Sequence, residues 1–205
     1  MGIIRLLLSI VCYIPINKAL KKSAKLKIKA KRIIAVALLF VLFLGFGLLP
    51  VEDLFVTFST PQSAYRYQRS YTYDVDLVVE GESTVLVVGS HCFGRADNEF
   101  VLSAFEKKEG GYKLGFTFEF KPVNLGQLDN KYIYHVYKHT ASDDYYIHVM
   151  SSFAVKTDVA DISGKPFSCI QKDDRYYYYG YAHRMEEGYS LIIDGKEYSI
   201  DITEV

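Results

Sequence analysis

YDVDLVVEGESTVLVVGS, residues 73–90, sets the fold class. Tyr73, Val75, Leu77 and Val79 alternate with Asp74 and Asp76, a period of two that belongs to a strand with one buried face. Glu80-Gly81-Glu82 supplies turn chemistry, and Ser83 to Ser90 returns as a second apolar run. The reading is a β-hairpin.

The same grammar repeats downstream. Phe100 to Lys107 and Tyr112 to Lys121 flank Glu109-Gly110-Gly111; Lys131 to Lys138 and Tyr145 to Phe153 flank Ala141-Ser142-Asp143-Asp144. Arg175 to His183 and Tyr189 to Asp194 flank Met185-Glu186-Glu187-Gly188. Asp194-Gly195 then leads directly into Lys196 to Ile202, and this pair suits a type I′ turn, whose two central residues both need positive φ. Asp158 to Lys172, broken by Gly164-Lys165-Pro166, reads as a connecting loop. Roughly nine strands with short turns predict a mainly β fold, an antiparallel meander or small sandwich. Tyr favours half-buried strands, and 17 of the 18 Tyr residues lie after residue 49.

Upstream the character changes. Thr60 is placed to cap a short helix with Pro61 in its first position and Ala64 and Tyr65 following. Ile33 to Leu49, IIAVALLFVLFLGFGLL, holds only apolar residues and Gly. With Lys31 and Arg32 snorkelling, its length matches a transmembrane helix at the short end of the range. All nine Lys and Arg residues before it stand without a single Asp or Glu, which leaves 15 basic against 24 acidic residues in the rest, a formal −9. Positive flanks stay in the cytoplasm, so the expected topology is a single-pass signal-anchor with a cytoplasmic N-terminus and an extracytoplasmic C-terminal domain. A cleaved leader is disfavoured by the long basic region and by LLPVEDL, which offers no small-x-small cleavage site.

The resulting divisions are a basic cytoplasmic segment (1–32), a transmembrane helix (33–49), a linker (50–59) and a β-rich extracytoplasmic domain (60–205). Ile3 to Ile16 is short for a span and contains Arg5 and Pro15. It reads as interfacial, with a second span or a start site further along as the alternatives. The Lys-rich stretch from Asn17 to Arg32 is explained by its place beside a span and by anionic inner-leaflet lipids, so no nucleic-acid partner is inferred.

Phe55-x-Thr57-Phe58-Ser59-Thr60-Pro61-x-x-Ala64-Tyr65 resembles the start of the outer domain in small single-pass membrane proteins of Gram-positive bacteria. Gln62 and Ser63 stand where those proteins usually have Glu. The resemblance implies an envelope location and no particular activity.

Catalytic signatures are missing from the sequence: it has no G-x-S-x-G, phosphate loop, dinucleotide fingerprint, calcium loop or zinc-protease motif, so no cofactor is implied. His135 and His139 would lie about 13 Å apart along a strand, too far to share a metal, whereas His148 approaches His135 if the hairpin register allows. Cys92 and Cys169 are either a disulfide or two ordinary buried thiols. In RYYYYGYAH (175–183), Tyr177, Tyr179 and Tyr181 share one face of the strand, and Tyr176, Tyr178, Gly180 and Ala182 share the other. The small residues on the second face suit close packing. The first face is therefore the candidate binding surface, able to stack on a glycan or an aromatic-rich peptide. The expected role is an envelope binding or protein-interaction module. An extracytoplasmic enzyme whose site forms only in the fold, or a tethered sensor or assembly factor, are the alternatives.

Overall fold

The computed structural model describes residues 3–22, 27–48, 51–69, 73–91, 100–115, 120–186 and 188–200. Two long helices come first, α1 (Ile3–Lys22) and α2 (Ile28–Leu48), followed by a 3-10 turn at Val51–Leu54 and a short helix, α3 (Pro61–Arg69). All strand pairings after that are antiparallel.

Sheet 1 takes β1 (Tyr73–Glu80), β2 (Thr84–His91), β3 (Val101–Lys108) and β4 (Gly111–Lys113) in sequence order. Sheet 2 is built from β5 (Phe120–Leu128), β6 (Tyr132–His139), β7 (Asp144–Ser151), β9 (Ser168–Lys172) and β10 (Arg175–His183), in the order β5-β6-β7-β10-β9. Sheet 3 is β12 (Lys196–Ser199), β11 (Ser190–Ile193) and β8 (Val159–Asp161).

These elements stack in layers. Helix α3 lays Ala64 and Tyr65 on Val85, Val87 and Phe105 of sheet 1. The opposite face of sheet 1, with Val79, Leu86 and Val88, packs on Tyr146, Tyr177 and Tyr179 of sheet 2. Sheet 2 in turn covers Leu191 and Ile193 of sheet 3 with Val136, Ile147, Val149 and Tyr178. β2 explains the order of the layers, because Val85, Leu86, Val87 and Val88 are all buried and a strand apolar on both faces needs cover on both.

The fold is thus mainly β and antiparallel, as residues 73–90 predict, but several expectations need correcting. The alternation in β1 is broken by a bulge between Val75 and Leu77. An extra residue there sends Val75 and Val78 toward α3 and Leu77 and Val79 toward sheet 2. Residues 158–172 are not one loop, since they contain β8 and β9. β10 and β11 do not form a hairpin but belong to different sheets. The expected Asp194-Gly195 turn is present, with φ of 50° and 77°.

The expected transmembrane helix at 33–49 also changes. The helix starts at Ile28 and takes Lys29, Lys31 and Arg32 into its first turns. Its apolar remainder reaches about 24 Å at 1.5 Å per residue, short of a hydrocarbon core of about 30 Å. Among the described residues no helix is long and apolar enough to cross a membrane.

The expected linker, 50–59, is docked to sheet 1. Asp53 accepts hydrogen bonds from the amides of Leu114 (2.8 Å) and Gly115 (2.9 Å), while Lys113 Nζ donates to the carbonyls of Asp53 (2.5 Å) and Val56 (2.7 Å). Phe58 and Tyr112 exchange two backbone bonds of 2.9 and 2.8 Å. At the entry to α3, Ser63 N donates to Thr60 Oγ1 (3.1 Å) and Thr60 N to Ser63 Oγ (3.3 Å). This is a reciprocal capping box in which Ser63 takes the place usually filled by Glu.

Candidate functional site

β10 lies at the centre of sheet 2 and is covered on both faces. On one side Gly180 sits under Phe167, where a Cβ would overlap the ring. The close approach expected from the small residues is therefore made. The other side, proposed from sequence as the open one, is closed by sheet 1: Tyr177 is 7% exposed, Tyr179 1%, and Tyr181 is half-buried. An extended strand shows which side chains share a face but not how many layers will cover it.

That closed face is an aromatic stack. The register pairs His135 with His148 and His148 with Tyr179. The His148 ring lies 4.7 Å from Tyr179 at 7° and 5.9 Å from Tyr177 at 13°. His148 Nε2 is buried with no hydrogen-bond partner. Burial, aided by His135 beside it, pushes its pKa down to about 3, so the ring is neutral here. Among the described residues no group of three or more His, Cys, Asp and Glu side chains is placed to hold a metal.

At one end of this layer a buried carboxylate fastens the sheets together. Asp144, fully buried at the start of β7, accepts from Ser83 N (2.9 Å) and Thr84 Oγ1 (2.6 Å) of the β1–β2 turn. It also accepts from Tyr181 OH (2.8 Å), and His183 Nδ1 lies 3.4 Å away. Tyr181 OH in turn accepts from Glu82 N (2.9 Å), and Thr84 Oγ1 meets Tyr146 OH at 2.9 Å. Burial raises the Asp144 pKa, but the donors from Thr84, Tyr181, His183 and Ser83 outweigh it, and the net shift is downward. Burial pushes the Tyr146 and Tyr181 phenols up, so both stay protonated. Asp144 reads in the sequence as a turn residue, and no local signal marks it, because its partners lie about 40 to 60 residues away.

Beside this joint is a cavity of about 220 Å³ between the edge of β1 and the β8–β9 loop. Val78, Glu80, Lys165, Ser168 and Tyr181 are among its lining residues. Asp161 shapes the loop by accepting from Lys165 N (2.8 Å) and Ser163 Oγ (2.6 Å), with Gly164 at φ 82°. Lys165 Nζ lies 5.3 Å from the Tyr181 ring centroid, a cation–π distance. The cavity is smaller than the roughly 300–1,000 Å³ of drug-sized ligand pockets and suits a group the size of one side chain or sugar substituent. Of these residues the sequence marked only Tyr181, as part of the candidate face of β10; the loop that carries Lys165 was expected to be a mere connection.

Cys169 in β9 carries a free, half-buried thiol whose pKa is raised by burial. Cys92 lies outside the described residues, and so does the expected Cys92–Cys169 bridge. Compared with protein-family models, curated proteins and solved structures, the chain matches none.

Proposed function

We propose that this protein is a membrane-held binding module, with α1 and α2 in a bilayer and the β domain on the extracytoplasmic side. Its cleft between Glu80 and Lys165 takes part of an envelope protein or glycan. The observation that carries this reading is the apolar surface of the two helices: Leu7, Val11 and Ile14 on α1 are 54–61% exposed, and Val36, Phe40 and Val41 on α2 60–67% exposed. Among the described residues no strand or helix of the β domain covers these side chains, and an uncovered apolar surface of this extent marks an interaction site or a membrane contact. The basic residues from Lys18 to Arg32 favour the cytoplasmic face at that end of the helices. Binding rather than catalysis is supported by the state of Asp144, whose oxygens are engaged by Ser83, Thr84 and Tyr181.

Two measurements test the reading. An alkaline phosphatase fused to the C-terminus should be active and a green fluorescent protein fused there dark; the reverse would place the β domain in the cytoplasm. For the cleft, a pull-down from solubilised membranes should recover a partner with the unaltered chain and lose it with Lys165→Glu. Equal recovery by both would rule out the cleft.

A further inference from the structure

We infer that the chain enters the bilayer as a helical hairpin, so that the start of α1 returns to the same membrane face as the β domain. This rests on the reading that the helices are lipid-embedded, and it replaces a single crossing by a paired one.

Helices α1 and α2 are joined by five residues and pack along each other, with the start of the pair against the 3-10 turn at Val51–Leu54. α1 therefore runs back alongside α2. Near the connection, Lys31 Nζ donates to the Lys21 carbonyl (3.1 Å), and Tyr13 and Asn17 share a groove with Ala35 and Val36. Further along, Ser9 is 1% exposed and Ala35 7%. Small residues buried between helices whose large apolar side chains face outward are the pattern of helices packed in lipid, where close backbone approach replaces the hydrophobic effect.

The charge gathered at the turn identifies lipid as the occupant of the outer surface. The apolar part of α1, Ile3 to Ile16, reaches about 21 Å at 1.5 Å per residue and carries Arg5, so like α2 it is shorter than a hydrocarbon core of about 30 Å. Lys18, Lys21 and Lys22 end α1, Lys27 precedes α2, and Lys29, Lys31 and Arg32 lie in its first turns, so both sets meet at the turn, where they reach headgroups by snorkelling. The opposite end carries Glu52 and Asp53 after α2 and a single basic residue, Arg5, in the first turn of α1. The shortfall of roughly 6 to 9 Å on the two helices is met by local thinning of the bilayer, at fractions of a kcal/mol per Å, and by snorkelling of the flanking basic residues.

The test uses the full chain with one epitope tag before Met1 and a different one after Val205, expressed in a bacterial host. Proteinase is added to intact spheroplasts and, separately, to lysed ones. The expected result is loss of both tags in intact spheroplasts. Loss of the C-terminal tag with protection of the N-terminal one means a single crossing and overturns the hairpin while leaving the membrane reading in place. Protection of both until lysis keeps the hairpin and overturns the extracytoplasmic assignment. Recovery of the chain in the soluble fraction, or its extraction by carbonate, overturns both; a copy of the chain or another protein would then cover the helices.

Discussion

At the scale of the residue, the Tyr ladder of β10 belongs to the core. Tyr177→Ser with Tyr179→Ser removes two buried rings at the interface between sheets 1 and 2 and exposes His148 to the gap. A loss of several kcal/mol in unfolding free energy is expected from denaturant melts, in line with large-to-small core changes. A loss under 1 kcal/mol would mean that the face is open after all. His148 gives a pH signature. Its folded pKa, about 3, lies below the ordinary value of 6.5. Above pH 6.5 both states are neutral and the residue adds no slope. As pH falls from 6.5 toward 3 the unfolded chain takes up a proton that the folded chain refuses, and stability drops by up to about 1.4 kcal/mol per unit. Melts of His148→Phe should lack this component between pH 6 and 4. Asp144 acts lower: with a depressed pKa its contribution is present above pH 4 and disappears as pH falls through the folded value.

At the scale of the element, what could be read from the sequence was local. The capping of α3 by Thr60, the β1–β2 hairpin and the Asp194-Gly195 turn depend on neighbours within a few residues, and all three are present. The β9–β10 hairpin was hidden, since its turn is Asp173-Asp174 with φ of 49° and 57° rather than a Gly-containing pair. β8 has three residues and gains its place in the sheet by pairing with β11, some 30 positions on, so periodicity had nothing to register. The cleft failed to show for the same reason: Glu80, Lys165 and Tyr181 come from three segments and converge only when the sheets stack. The turn that fastens those sheets is itself testable. A Cβ on Gly81 would stand 2.6 Å from Tyr146 OH and 2.8 Å from the Tyr181 ring. Gly81→Ala should therefore push the β1–β2 turn off Asp144 and lower stability by about 1–3 kcal/mol, comparable to overpacking elsewhere. Hydrogen exchange should show the Ser83 amide losing protection first, and unchanged protection would count against the joint.

At the scale of the whole molecule, the boundary between helices and β domain falls earlier than residue 60, because Asp53 and Phe58 are bonded into sheet 1. A chain beginning at Val51 should fold as a soluble β domain, and one beginning at Thr60 should be less stable, by about 2 kcal/mol or more, having lost four charge-assisted bonds and a bridge. Equal melting temperatures would show that the docked segment adds nothing. The docking also fixes a distance. Only two residues separate Leu48 from Val51, a reach of about 10 Å at most, which is comparable to the screening length of physiological salt. On the proposed membrane reading, the formal −9 beyond residue 32 would stand within about one screening length of the bilayer surface. On the same reading, a leash this short would hold the domain near the headgroups, so its cleft would meet partners that are themselves confined there.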